Sequence, residues 1–207
     1  MNDSLVILLH GVGSNGADLA GLGDFWHDSF LPDTAFASPN APQRFPYQHS
    51  DGWQWFSLEG VTPENRPARL EAARADFDVL LNRIIHAHQM QDQLHRVVLV
   101  GFSQGSMMAL DALASGRWPV GGVVAFSGRL STRDPLQAAN TPVLLIHGQQ
   151  DEVIPWRESE SADARLRAAG YHVEAHYEPA TAHTISIEGV QQAGAWIAEV
   201  LGADEQD

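Results

Sequence analysis

The pentapeptide Gly101-Phe102-Ser103-Gln104-Gly105 constrains this chain more than any other stretch. An apolar, β-branched run, Arg96-Val97-Val98-Leu99-Val100, leads into it. Ser106-Met107-Met108-Ala109-Leu110-Asp111-Ala112-Leu113, of good helix-forming composition, leads out. A strand that turns at once into a helix around one serine leaves no space for Cβ atoms at the flanking positions, so both are glycine. The serine is then held in a strained backbone conformation with its hydroxyl at the rim of a sheet.

The rest of the chain supplies the sheet. Strand-like apolar runs over Leu5–Leu9, Thr34–Ala37, Arg96–Val100, Val120–Phe126, Val143–His147 and Val173–Tyr177 alternate with helical patterns. The helices are expected over Ala17–Ser29, Pro67–His88, Gln104–Ser115, Trp156–Ala169 and Ile187–Leu201. That alternation predicts an α/β fold with a mainly parallel central sheet and helices on both faces. In the second helix, Leu70, Ala73, Phe77, Leu80, Leu81, Ile84 and Ile85 recur at helical spacing and read as a plain packing stripe. Residues 38–65 break the pattern. They carry Pro39, Pro42, Pro46 and Pro63 with Trp53, Trp55 and Phe56, which reads as a long irregular connection of functional type, near the active site. With 207 residues and no linker between two cores, one domain over 1–207 is expected, with a flexible acidic tail over 202–207.

Composition excludes several classes. There is no cysteine, hence no disulfide framework and no thiolate nucleophile or metal ligand. The net charge is -14, with twelve arginines and no lysine, a balance that repels nucleic acid and anionic membranes. No apolar run approaches the ~18 residues of a membrane span, and Met1-Asn2-Asp3-Ser4 lacks the basic start of a secretory signal. A cytoplasmic enzyme with no membrane span is the expectation, and a homodimer stays open beside a monomer. His172 and His176 stand roughly 13 Å apart along a strand at ~3.3 Å per residue, and His86 and His88 point away from one another on a helix, so no metal is expected.

A serine hydroxyl needs an adjacent base, and the base needs an orienting acid. Where the nucleophile sits on such an elbow, acid and then base follow it along the chain. Asp151 lies in the loop after Val143-Leu144-Leu145-Ile146-His147-Gly148, and His183 lies between the last strand and the last helix. Ser127 lacks the elbow glycine, Glu152 is a second choice to Asp151, and His147 precedes the acid and breaks the order. Donors for an oxyanion are expected from the backbone N–H groups of Gln104 and Val12, the latter in His10-Gly11-Val12-Gly13-Ser14-Asn15-Gly16. His10 itself reads as a structurally bonded imidazole of a tight turn.

With these residues in view, nearly the whole chain resembles the phospholipase/carboxylesterase family of α/β-hydrolases, which includes bacterial carboxylesterases and acyl-protein thioesterases. Leu9-His10-Gly11-Val12-Gly13 resembles its oxyanion loop, Gly101–Gly105 its elbow including Phe102 and Gln104, and His147-Gly148 with Asp151-Glu152-Val153-Ile154-Pro155 its acid loop. Gln54-Trp55-Phe56-Ser57 and Glu64-Asn65-Arg66 are similar to a bacterial esterase branch. The resemblance implies an α/β-hydrolase fold without a large cap domain, Ser103, Asp151 and His183 as the triad, Val12 and Gln104 at the oxyanion, no cofactor, and acyl ester or thioester substrates. The chain departs from the family pattern in two places. Ala182 stands where a glycine usually precedes the histidine, and the first strand begins too near Met1 for the family's early β-hairpin.

The expected activity is a serine carboxylesterase for short- to medium-chain acyl esters. An acyl-thioesterase or lysophospholipase with the same triad is the alternative, and an idle hydrolase fold used for binding is a more distant one. Trp53, Phe56, Phe126, Val153 and Trp156 are expected to line the acyl pocket, with a core role equally open for each. Because the base must be neutral, activity is expected to decline as pH falls through the histidine range.

Overall fold

The computed structural model describes residues 2–47 and 51–203. Along the chain run β1 (Ser4–Leu9), α1 (Ala17–Ser29), β2 (Thr34–Ala37), β3 (Gln43–Arg44), β4 (Trp53–Gln54), α2 (Arg66–Ala87), β5 (Val97–Phe102), α3 (Gln104–Ala114), β6 (Gly122–Phe126), β7 (Pro142–Gly148), α4 (Arg157–Ala168), β8 (His172–Glu178) and α5 (Ile187–Ala203). Six of the strands form one sheet in the order β2-β1-β5-β6-β7-β8, and every pairing in it is parallel. The expected mainly parallel α/β sheet is what the chain forms. Residues 48–50 of the irregular connection and 204–207 of the acidic tail lie outside the described residues, while Gly202 and Ala203 close α5.

A sheet covered on both faces explains why its strands read as unbroken apolar runs rather than alternating ones. In β1, Leu5, Ile7 and Leu9 enter a core shared with Leu70, Phe77 and Leu81 of α2, Met108 and Leu113 of α3, and Leu166 of α4. The intervening Val6 and Leu8 point the other way, into a core with Trp26 of α1 and Ala193, Trp196 and Ile197 of α5. The α2 stripe therefore packs as plain core. Its Pro67 stands in the first turn, where a missing N–H costs nothing.

The connection expected to be irregular contains one short regular piece. β3 and β4 pair antiparallel, Gln43 with Gln54 and Arg44 with Trp53. Trp53 is also bridged to Ser14, with Gly13 N–H to Trp53 O at 2.8 Å and Trp53 N–H to Ser14 O at 2.8 Å. The ribbon is thus stitched to the loop that follows β1.

The strand order positions the site. After β1 the chain crosses outward to β2, and from β5 it moves the opposite way to β6. Loops leaving the carboxyl ends of two such neighbours diverge and open a crevice between them. His10 to Gly16 leave β1 there, and Ser103 leaves β5.

Candidate active site

The elbow at the end of β5 carries the conformation its sequence demands. Ser103 has φ 55° and ψ -116°, a left-handed geometry rare for any residue with a side chain. A Cβ at Gly101 would overlap the backbone of Gly105 and Ser106, and one at Gly105 would overlap the carbonyl oxygens of Leu9 and His10. The second contact matters most, because it seats the start of α3 directly against the end of β1. The strained turn is held by the Ser103 N–H to Phe126 O bond at 2.9 Å and by Ser106 Oγ, which donates to Ser103 O at 2.6 Å.

His183 and Asp151 come from loops that are themselves tied together. Gln149 N–H bonds Glu178 O at 2.8 Å, Gln150 N–H bonds Thr181 O at 2.9 Å, and a Cβ at Gly148 would strike Thr181 O. This places His183 Nδ1 2.7 Å from Asp151 Oδ2 and His183 Nε2 3.0 Å from Ser103 Oγ. An ionised carboxylate only accepts hydrogen bonds, so Nδ1 carries the proton and the Nε2 lone pair faces the serine hydroxyl. The Phe102 ring lies against the imidazole, centroids 4.9 Å apart. The three sequence-predicted residues are therefore brought within hydrogen-bonding reach, and Ala182 does not prevent it.

Asp151 has no exposed side-chain surface. Its Oδ1 accepts the backbone N–H groups of Val153 and Ile154, both at 2.8 Å. Burial alone pushes its carboxyl up. The bond from His183 and the two backbone donors outweigh that push and hold it below the usual carboxylate range. Glu152 is not part of this arrangement.

His147, the rival base, is built into the support of the acid. Its ring is fully buried, with Nε2 2.7 Å from Ile154 O and 3.3 Å from Asp151 Oδ2, and Nδ1 2.6 Å from Ser159 Oγ. The Ile154 carbonyl can only accept, so Nε2 carries the proton and Nδ1 accepts from Ser159. Burial lowers the basicity of this imidazole more than Ile154 and Asp151 raise it. It is a neutral strut under the acid loop. His10 is likewise neutral by its partners: Nδ1–H donates to Gly11 O at 2.7 Å and Nε2 accepts the Ala41 N–H at 2.9 Å. Burial lowers its basicity despite the Gly11 bond.

Gln104 and Val12 border the crevice, and each brings a backbone amide. That of Gln104 is the first of α3 and has no acceptor within the helix. That of Val12 has no protein acceptor among the described residues, whereas the next two in the loop are taken by Trp53 O and Gly11 O. The Gln104 side chain, buried at 1% exposure, does something sequence reasoning did not anticipate. Its Oε1 accepts the Trp55 N–H at 2.8 Å and its Nε2 donates to Phe56 O at 2.7 Å. The Trp55 indole in turn donates to His10 O at 2.8 Å. One amide and one indole thereby fasten the irregular connection, the elbow and the β1 loop into a unit.

A cavity of about 230 Å³ opens beside Ser103. Of the five residues expected to line it, Val153 does. Phe126 is corrected to the core on the opposite face of the sheet, with Trp26 and Ile146. Phe56 is buried with Trp55 beside α2 and α3, because the Gln104 clamp turns that backbone inward. Trp53 is part of the ribbon, with the Arg44 guanidinium 5.2 Å from its ring centre. Trp156 packs on Tyr177, 5.0 Å between centroids, at the entrance to α4. The apolar wall is instead Leu58, Val61, Met107 and Ile154, with Val12 and Val153, and two arginines, Arg66 and Arg129, complete it. Among the described residues no three His, Asp or Glu side chains converge as a metal site would require, and no helix is long and apolar enough to cross a membrane.

The model of the phospholipase/carboxylesterase family matches residues 1–201. The chain belongs to that family. It is 30% identical over 191 residues to esterase YpfH of Escherichia coli (strain K12), covering 91% of this chain and 79% of that one. A probable carboxylesterase of Oryza sativa subsp. japonica is 29% identical over 212 residues, with 95% and 88% covered. Among solved structures, esterase PE8 superposes with a TM-score of 0.87 at 39% identity, across 97% of this chain and 94% of that one. The fold is the α/β-hydrolase fold, and family membership makes the chain a hydrolase acting on ester bonds.

Proposed function

We propose that the chain is a serine carboxylesterase in which Ser103 attacks the acyl carbonyl, His183 moves the protons and Asp151 orients the histidine. The observation that carries this reading is the unbroken line of hydrogen bonds from Asp151 Oδ2 through His183 to Ser103 Oγ, at 2.7 and 3.0 Å, ending at the mouth of a cavity. As the serine oxygen bonds to the carbonyl carbon, its proton passes to His183 Nε2, and the buried Asp151 carboxylate stabilises the imidazolium. The Gln104 and Val12 amides receive the negative charge that develops on the carbonyl oxygen. Collapse expels the alcohol, which takes the proton from Nε2, and leaves the acyl group on Ser103. Water then gives a proton to His183 and its oxygen to the carbonyl, releasing the acid and restoring the serine. One ester and one water become one acid and one alcohol.

The cavity, smaller than the ~300 Å³ at which drug-sized sites begin, favours short to medium acyl groups. A panel of nitrophenyl esters from acetate to palmitate, run beside an acyl-thioester, should peak at short chains. Fluorophosphonate should label the chain, and Ser103→Ala should abolish both labelling and turnover. Labelling that survives Ser103→Ala would remove the nucleophile from the proposal, and a maximum at palmitate or on the thioester would redirect the substrate toward lipid or protein deacylation.

A further inference from the structure

A cavity that only had to hold an acyl chain would need no cation, yet this one has two. Arg66, at the start of α2, and Arg129, just past the end of β6, stand in its wall together with Ser103. Of the charged residues there, both are positive, on a chain whose net charge is -14. Several arginines elsewhere are spoken for by carboxylates at hydrogen-bond distance: Arg74 and Arg117 bind Asp111, Arg133 binds Glu71, Arg157 binds Glu160, and Arg167 binds Asp163. The two in the cavity are not. No guanidinium nitrogen of either residue makes a hydrogen bond to a protein group among the described residues. Arg129 Nε is shielded from solvent without an acceptor, and the nearest carboxylate, Glu158 Oε2, lies 3.7 Å away, beyond hydrogen-bond reach. The side chain as a whole is 13% exposed, so its charge is poorly hydrated.

Burial weakens the hold of the Arg129 guanidinium on its proton, the Glu158 charge partly offsets this, and Arg66 pushes in the same direction as burial. Two cations thus stand in one cavity wall, and Glu158, 3.7 Å from Arg129, is among the described residues the one carboxylate near enough to offset them in part. Folding tolerates such an arrangement at a cost, because a buried, unpaired donor loses water without recompense. A ligand oxyanion would satisfy both forks at once, since planar guanidinium groups match carboxylate and phosphate oxygens in pairs. The apolar residues that share the cavity wall with the arginines, Leu58, Val61, Met107 and Ile154, suit a short methylene linker.

We infer that the preferred ester carries an oxyanion, a carboxylate or a phosphate-type group, at the end away from the scissile carbonyl, and that Arg66 and Arg129 hold it. This deepens the serine esterase reading and rests on it. A matched set of methyl valerate, monomethyl glutarate and methyl 4-phosphonobutanoate differs only in that terminal group, and methanol release reports kcat/KM for each. The anionic esters should exceed the neutral one by about tenfold or more, as expected where charge-assisted hydrogen bonds are made. That ratio should fall about tenfold toward unity in Arg66→Gln and in Arg129→Gln, and Arg129→Lys should recover only part of it. The order of glutarate and phosphonobutanoate tells which oxyanion the site was shaped for.

A wild-type ratio at or below one, or a ratio untouched by both glutamine variants, overturns the inference. Turnover of methyl valerate that disappears in Ser103→Ala leaves the esterase reading standing in that case. A binding measurement separates the two from the other side. Glutarate and methylphosphonate are titrated calorimetrically into Ser103→Ala, alone and combined with Arg129→Gln or Arg66→Gln. Saturable binding lost with the arginines supports the anion site even if none of the three esters is turned over, and no binding of either anion overturns it. If Arg129→Gln fails to fold, Arg66→Gln and Arg129→Lys carry the comparison.

Discussion

Among the described residues two carboxylates have no exposed side-chain surface, Asp151 in the loop after β7 and Asp111 on α3, and they are surrounded by opposite kinds of partner. Asp111 Oδ1 accepts from Arg74 and the Thr132 hydroxyl, and its Oδ2 accepts from Arg74 and Arg117, at 2.7 to 2.9 Å. Arg117 reaches on to Asp78, which also accepts the Trp118 indole N–H. Every cation here is permanent, so the network has one charge state and binds α2, α3 and the segment after β6 whatever the pH near neutrality. Asp151 faces imidazoles and backbone amides instead, and no guanidinium. Its charge is left uncancelled until a proton arrives on His183. A carboxylate locked to guanidinium groups stabilises a fold, whereas one held by amides and neutral rings is poised to stabilise a cation that does not yet exist.

Substitutions at the two carboxylates should break the comparison in opposite directions. Asp151→Asn should reduce kcat on the order of 10⁴-fold, because an amide favours the wrong imidazole tautomer, with a melting temperature close to wild type. Kinetics and a thermal scan on the same preparation check both halves. A loss of activity matched by a comparable loss of stability would return Asp151 to a structural role. Asp111→Ala comes next. It strands the Arg74 guanidinium and leaves Arg117 with Asp78 alone, and because both arginines keep some contact with solvent, the loss should fall at the low end of the range for a broken buried pair, about 3 kcal/mol. The urea midpoint should drop at unchanged slope while kcat of the folded protein stays within about twofold.

The smallest effect sharpens the contrast through pH. His10 and His147 have basicities lowered by burial, so between their folded values and about 6.5 the unfolded chain binds more protons than the folded one. Stability from these two groups is therefore complete above that range and is lost as pH falls through it. Asp151 and Asp78 have carboxyls held low, so their contribution is lost only at more acidic pH, as they pass from the unfolded toward the folded value. The melting temperature should begin to fall below pH 6.5, and His147→Gln should make that first slope shallower while leaving the acid limb in place. An unchanged slope would mean that the imidazole under the acid loop is not the neutral strut its partners require.

How far the sequence foretold this molecule follows from which signals are local. The parallel sheet, the five helices and the meeting of Ser103, Asp151 and His183 were readable because strand runs, elbow glycines and chain order each declare themselves within a few residues. Strand ends moved by a residue or two, as when β5 runs on through Phe102 because Ser103 still bonds across to Phe126. The β3–β4 ribbon escaped notice since two-residue strands show no alternation, and its partner Ser14 is far away in sequence. The cavity wall was the poorest part. Aromatic residues in an irregular connection announce burial but not direction, and Phe56 points into the core only because Gln104 grips its backbone. Leu58 and Val61 carry no periodicity, and nothing near Arg129 in the chain signals that it shares a cavity wall with Arg66. Asp111 stands within a good helical run, and nothing beside it in the chain signals the Arg74 and Thr132 partners that reach it from afar.

The overlap that any side chain at position 105 would make with the Leu9 and His10 carbonyls has a consequence for how this scaffold can diversify. The proposed nucleophile and the proposed oxyanion amides are tied together across that contact, so neither can be retuned alone. Leu58, Val61 and Arg66 line the cavity without entering that contact. Libraries confined there should trade one clientele for another at little risk to the engine, whereas changes along residues 9–13 or 101–106 should mostly return inert protein.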